Sequence, residues 1–164
     1  MARSMVCTIV TDLRGPSALA VTRKWVAGGL VIGASFVPEE KRSWKPAGTS
    51  RSAREILAHA TYWNLYFMRL LRGEKTWEMD EETWTRSTKE LQDSDQALKL
   101  AEKSGKDFVA SFEKVAPKDL EKKVELPWGH RTLYQVALDN FWHLTYHVGQ
   151  LCYIQTMLGD TQDR

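Results

Sequence analysis

The chain has 164 residues and a net charge of +2, from 23 Lys and Arg against 21 Asp and Glu. That length suits a single domain, 1–164, able to bury about 70% of its unfolded-chain surface. The charge balance argues against nucleic acid or an anionic membrane as partner.

Cys7 and Cys152 lie far apart, so neither a disulfide framework nor a cysteine-type zinc motif is expected. A reducing, cytoplasmic setting fits. Residues 1–15 are expected to be an accessory or poorly ordered segment. Thr8, Thr11 and Asp12 interrupt any apolar stretch there, so no signal peptide is read. The longest apolar run, Trp25–Val37, has 13 residues, too short to span a bilayer.

The predicted architecture is all-α, a four-helix bundle with a long connection between the second and third helices. The first helix is expected from about Pro16, a residue suited to the first helical position, to Phe36. Gly28, Gly29 and Gly33 weaken it, and the Gly29-xxx-Gly33 spacing would allow close helix approach. Pro38, Pro46 and Gly48 mark residues 38–50 as a loop. Ser52-x-x-Glu55 reads as a capping box opening the second helix, and Gly73 as its stop. The apolar stripe of this helix is Ile56, Ala60, Trp63, Phe67 and Leu70, and His59 lies on it.

The connection over residues 73–87 carries Trp77 and Trp84 and is long for a helical hairpin. A second capping box, Ser87-x-x-Glu90, opens the third helix. Its seam is Leu91, Ser94, Leu98, Ala101, Gly105, Phe108, Phe112 and Val115, and Pro117 ends it. The small residues on that seam fit close packing or a pocket equally well. Residues 126–130, Leu-Pro-Trp-Gly-His, read as a turn-rich loop. The fourth helix opens with Thr132-x-x-Gln135 and stops at Gly159. Its seam is Val136, Asn140, His143, His147, Leu151, Ile154 and Leu158. No segment shows sustained strand alternation, and there is no internal repeat.

His143 and His147 carry the chemistry. Four helical residues separate them by about 40° around one face and about 6 Å along it, so both imidazoles can hold one ion. Two buried imidazoles that close must both stay neutral, and a divalent cation satisfies a lone pair on each. A pair of this spacing is common by chance, and a single histidine on an apolar stripe is usually a core residue. Here both fall on the seam, and His59 sits on the seam of another helix. Leu144 stands where a zinc protease of the HExxH type has its glutamate, so that activity is not expected.

The stretch Arg51-Ser52-Ala53-Arg54-Glu55-Ile56-Leu57-Ala58-His59 resembles the second-helix signature of the DinB/YfiT-like metalloenzymes. Residues from Trp128-Gly129 through His143-Leu-Thr-Tyr-His147-Val-Gly149-Gln150 resemble their last-helix signature, HxxxHxGQ, and Trp44-Lys45-Pro46 is similar to their loop before helix two. The resemblance covers about Trp25 to Gly159. It implies a bundle holding a divalent metal on His59, His143 and His147, and frequent homodimers. It also implies thiol S-transfer or thiol-dependent isomerisation in some relatives. Val148 departs from the pattern, since relatives often have a basic residue or histidine after the last ligand.

The expected cofactor is a divalent ion, zinc or nickel first and manganese or iron next, because imidazole suits most first-row ions. A low-molecular-weight thiol would be a co-substrate. An ion held by three neutral imidazoles keeps its full charge and would acidify water or a thiol it meets. The leading expectation is therefore a metal-dependent, thiol-linked transferase acting on a small molecule. A metal-dependent hydrolase and a non-catalytic metal-binding bundle are the alternatives, and the hydrolase lacks a seam carboxylate to serve as base. Asn140 is expected to orient His143, and Gln150 to lie near the metal. His130 and Arg131 are candidates to meet an anionic substrate. Trp63 and Trp128 are read first as core residues and second as pocket walls. Cys152 lies about 140° around the helix from His147 and is not expected as a ligand.

Overall fold

The computed structural model describes residues 28–76, 80, 82, 85 and 94–162. It is mostly helical. Residues 28–35 form the described part of the first helix (α1). Three long helices follow: α2, Ala53–Arg72; α3, Ser94–Glu113; and α4, Leu133–Met157.

The ends of α2 are set locally. The Ser52 hydroxyl accepts from the Glu55 backbone N–H, and the Glu55 carboxylate accepts from the Ser52 N–H. These bonds satisfy two donors that a helix start otherwise leaves open. Gly73 closes the helix in the left-handed region, φ 68°, where a Cβ is unfavourable. Between these ends, thirteen of the twenty residues are buried. So much burial means that α2 is covered on several sides, and both α3 and α4 pack on it. The expected stripe is present, with Ile56, Ala60, Phe67 and Leu70 buried and Trp63 half-buried.

The buried face of α3 is Ala97, Ala101, Ser104, Gly105, Phe108 and Ser111, while Leu98, Phe112 and Val115 are half-buried. The small residues therefore serve close packing against α2, and Ser104 and Ser111 extend the expected seam. Helix α3 ends before Pro117, which opens a short 3-10 turn, Pro117–Asp119. The expected start of the first helix at Pro16, the Ser87 capping box, Leu91, Trp77 and Trp84 lie outside the described residues, as do residues 1–15.

The all-α expectation needs one correction. Residues 123–132 form a two-stranded antiparallel hairpin, β1, Lys123–Leu126, and β2, Gly129–Thr132, where a loop was expected. Each strand has only four residues, too few for a sustained alternation. Yet Lys123-Val-Glu-Leu126 does alternate, and Leu126 points into the core. Gly129, at φ 120°, takes the chain out of the Pro127–Trp128 turn. The hairpin then runs directly into α4 through the Thr132–Gln135 capping box. At the far end of α4, Gly159 turns the chain with φ 93°.

Helix α1 lies against α4. The Gly33 carbonyl accepts from the Gln155 side-chain amide, and a Cβ at Gly33 would stand 3.6 Å from the Leu151 side chain. The expectation of close approach is met at Gly33.

Candidate metal centre

Helix α2 presents His59 to α4, which presents His143 and His147 one turn apart. The three Nε2 atoms converge. His143 Nε2 stands 2.9 Å from His59 Nε2 and 3.0 Å from His147 Nε2. The ring centroids lie 4.5–4.9 Å apart. His147 is 1% exposed, and the other two rings are half-buried.

The hydrogen bonds of His147 fix its tautomer. Its Nδ1 lies 2.7 Å from the Gln150 Oε1, which can only accept, so Nδ1 carries the proton. The Gln150 amide nitrogen in turn donates to the Tyr146 hydroxyl at 3.0 Å. A neutral His147 therefore turns a lone pair toward His143.

Proton counting then tests the fit of a cation. His143 Nε2 has close contacts to two other Nε2 atoms but can carry only one proton. It can make a hydrogen bond of at most one contact as donor, while the lone pair of His147 already faces it. A cation shared by three lone pairs removes the conflict. Nitrogens that share one ion at about 2.0–2.1 Å stand roughly 3 Å apart, as these do. The three histidines are the metal-type cluster found among the described residues.

The electrostatics keep the rings neutral, as metal ligation requires. Burial pushes His59 down to about 2, and the neighbouring rings and the Arg51 guanidinium add to the effect. Burial, His147 and Arg51 take His143 down to about 3. His147 is also lowered by burial and by Arg51, against the opposing effect of the hydrogen bond it donates to Gln150.

Trp63 forms one wall. Its ring centroid lies 6.3 Å from His59, 6.0 Å from His143 and 5.7 Å from Trp128. Trp128, at the tip of the hairpin, is 47% exposed. It is thus no core residue, and it packs edge-on against Trp63, the indole that flanks the cluster.

Other expectations are redirected. Asn140 does not orient His143. Its amide nitrogen donates to Asn64 Oδ1 at 3.1 Å, and Asn64 donates to the Ser104 hydroxyl at 3.1 Å. This buried link ties α2, α3 and α4 together directly behind the site. Asn64 was legible only as a polar residue among apolar neighbours. His130 pairs with Glu125 across the hairpin at 2.7 Å, and Arg131 with Asp139 at 2.8 Å, so both side chains already face carboxylates. Cys152 is exposed and apart from the cluster.

Fold and site together define a mostly helical protein with a candidate three-histidine metal centre between two helices and the Trp63 indole flanking it. The model of the DinB superfamily matches residues 32–151, and the chain belongs to that superfamily. Among solved structures it is similar to a DinB-like protein, YjoA, from Bacillus subtilis, with a TM-score of 0.65 at 20% identity. The match covers 89% of this chain and 95% of that one, and speaks for the fold. No curated protein matches the chain.

Proposed function

We propose that His59, His143 and His147 hold one divalent metal ion, and that the protein is a metal-dependent enzyme acting on a small molecule. The observation that carries this reading is the meeting of three Nε2 atoms, with the opposite nitrogen of His147 anchored by Gln150. A carbonyl or carboxylate acceptor behind a ligating imidazole, here the Gln150 amide oxygen, is the usual way to fix its orientation.

Thiol-linked group transfer is the favoured reaction class, as the family resemblance implies. A bound divalent ion would lower the pKa of a thiol it meets. The chain's own residues supply the surroundings. Trp63 and Trp128 offer an apolar wall for an electrophile and exclude water from one side. The α4 seam that carries His143 and His147 offers no carboxylate beside them. That favours transfer over hydrolysis, which would call for a general base beside the ion.

We also infer a cytoplasmic, four-helix-bundle protein that pairs with a second copy. No helix among the described residues is long and apolar enough to cross a membrane. Residues 140–159 contain no Asp, Glu, Lys or Arg. On the outer face of α4, Trp142, Tyr146 and Tyr153 are 73%, 55% and 65% exposed. An aromatic face without charge suits self-association, because a two-fold axis would oppose no like charges. These three rings offer about half of the roughly 800 Å² per partner that a standard interface buries.

The test is metal content of tag-free protein beside a His59→Ala, His143→Ala double variant. Near one ion per wild-type chain and none in the variant supports the site. Wild-type conjugation of a thiol to monochlorobimane, lost in His143→Ala with helicity retained, then supports the transferase. No metal after reconstitution would remove the proposal and leave a non-catalytic bundle.

A further inference from the structure

Helix α4 carries two stripes. The inner one packs on α2 and bears His143 and His147. The outer one is Trp142, Tyr146, Gly149 and Tyr153, spaced by four, three and four residues, with Met157 four further on. That is the spacing of a helix-packing seam, repeated on the face turned away from the core. Trp142, Tyr146, Tyr153 and Met157 are 73%, 55%, 65% and 46% exposed, and residues 140–159 hold no Asp, Glu, Lys or Arg.

Gly149 stands at the middle of the outer stripe. It is exposed, and a Cβ built there would meet nothing within 4 Å. Its φ is negative, as in any helical residue. A glycine inside a helix costs up to about 1 kcal/mol relative to alanine. Neither its backbone conformation nor its neighbours call for it, whereas a second helix passing close outside would. The flanking residues are symmetric about it. Across a two-fold axis between positions 149 and 150, an antiparallel second α4 would set Tyr146 against the partner's Tyr153, and Trp142 against the partner's Met157. Each pair then occurs twice, as ring against ring and sulfur against ring, with no like charges opposed.

The same stripe touches the candidate metal centre. The Tyr146 hydroxyl accepts from the Gln150 amide at 3.0 Å, and Gln150 Oε1 accepts from His147 Nδ1–H at 2.7 Å. Tyr146 also stacks on Trp142, with ring planes 22° apart. Water competes for its hydroxyl at this exposed position.

We propose that α4 pairs antiparallel with α4 of a second copy at Gly149, and that this contact tightens the metal centre through Tyr146 and Gln150. A helix closing over Tyr146 excludes the competing water and leaves Gln150 as the partner of its hydroxyl. A firmer Gln150 holds the His147 ring in its ligating orientation. The coupling is reciprocal, so an ion held more tightly by the dimer must also tighten the dimer. The proposal rests on the readings of the histidines as a metal site and of the protein as a dimer, and its test separates them.

Sedimentation equilibrium of the full chain, metal-free and zinc-loaded, gives the dimer constants. Competition against a chromogenic chelator, at protein concentrations below and above those constants, gives the zinc Kd of each form. One such hydrogen bond is worth about threefold, so the dimer should bind zinc about threefold more tightly than the monomer. With two sites per dimer, zinc should tighten dimerisation about tenfold. Gly149→Leu adds bulk at the crossing in a better helix former, and should give a monomer of undiminished helicity. Cys152→Leu, about 100° around the helix from Tyr153, should leave the dimer intact. Tyr146→Phe keeps the ring, and so the dimer, but should abolish the zinc effect on it. A monomeric wild type, as would follow if residues 1–27 of the same chain cover this face, would overturn the proposal. So would a dimer that survives Gly149→Leu, a dimer constant indifferent to bound zinc, or a zinc effect undiminished in Tyr146→Phe. If no zinc binds while Gly149→Leu still dissociates the dimer, the metal reading falls, and the coupling with it, whereas the pairing through α4 stands.

Discussion

Replacing Gln150 by Ala probes the support behind the site without touching a candidate ligand. In the native arrangement the His147 Nδ1–H donates to Gln150 Oε1 at 2.7 Å, and Gln150 is held in turn by the Tyr146 hydroxyl. His147 is almost wholly buried, so water has little access to a freed Nδ1–H. Leaving such a donor unpaired costs about 1–3 kcal/mol, and loss of a partner behind a ligating imidazole typically weakens metal binding about 10- to 100-fold. The expected result for Gln150→Ala is a metal Kd raised by that factor, with the stoichiometry still near one. Tyr146→Phe removes only the more distant bond and should cost about threefold or less, since that hydroxyl lies at an exposed position. Competition titration against a chromogenic chelator measures both. A Gln150→Ala Kd within twofold of wild type would show that His147 is oriented by something else, and the tautomer argument would fail.

The metal-free protein should lose stability in mild acid. Each depressed histidine pKa means that the unfolded chain takes up protons near pH 6.5 that the folded chain refuses. Stability is therefore full above about pH 6.5 and falls as pH drops toward the folded values, by at most about 1.4 kcal/mol per pH unit for each histidine. Urea midpoints between pH 7 and pH 5 would check this, and a flat profile would contradict it. Asn64→Ala should lower stability by about 2–4 kcal/mol, because it strands a buried donor on Asn140 and takes the donor from the buried Ser104 hydroxyl. Thermal melts should show the loss, whereas Asn64→Leu with Asn140→Leu should be closer to wild type than the single changes sum to. Trp142→Glu with Tyr153→Glu should shift the protein to monomer in sedimentation without lowering helicity, and an unchanged mass would refute pairing through α4.

The parts of the molecule written in local sequence were readable before any coordinates. The Ser52 and Thr132 capping boxes depend on residues three apart, and Gly73 and Gly159 on a single backbone conformation. His143 and His147 share a face through helical periodicity alone. The hairpin leaves no clear mark in the sequence because its strands are only four residues long, and their pairing, not their pattern, makes them strands. The partner of Asn140 is hidden for a related reason. From the sequence its neighbour was His143, three residues away, but the fold offers Asn64, 76 residues away, with a buried amide to match. Burial makes that match compulsory, since an amide cut off from water must pair with whatever polar group the packing brings.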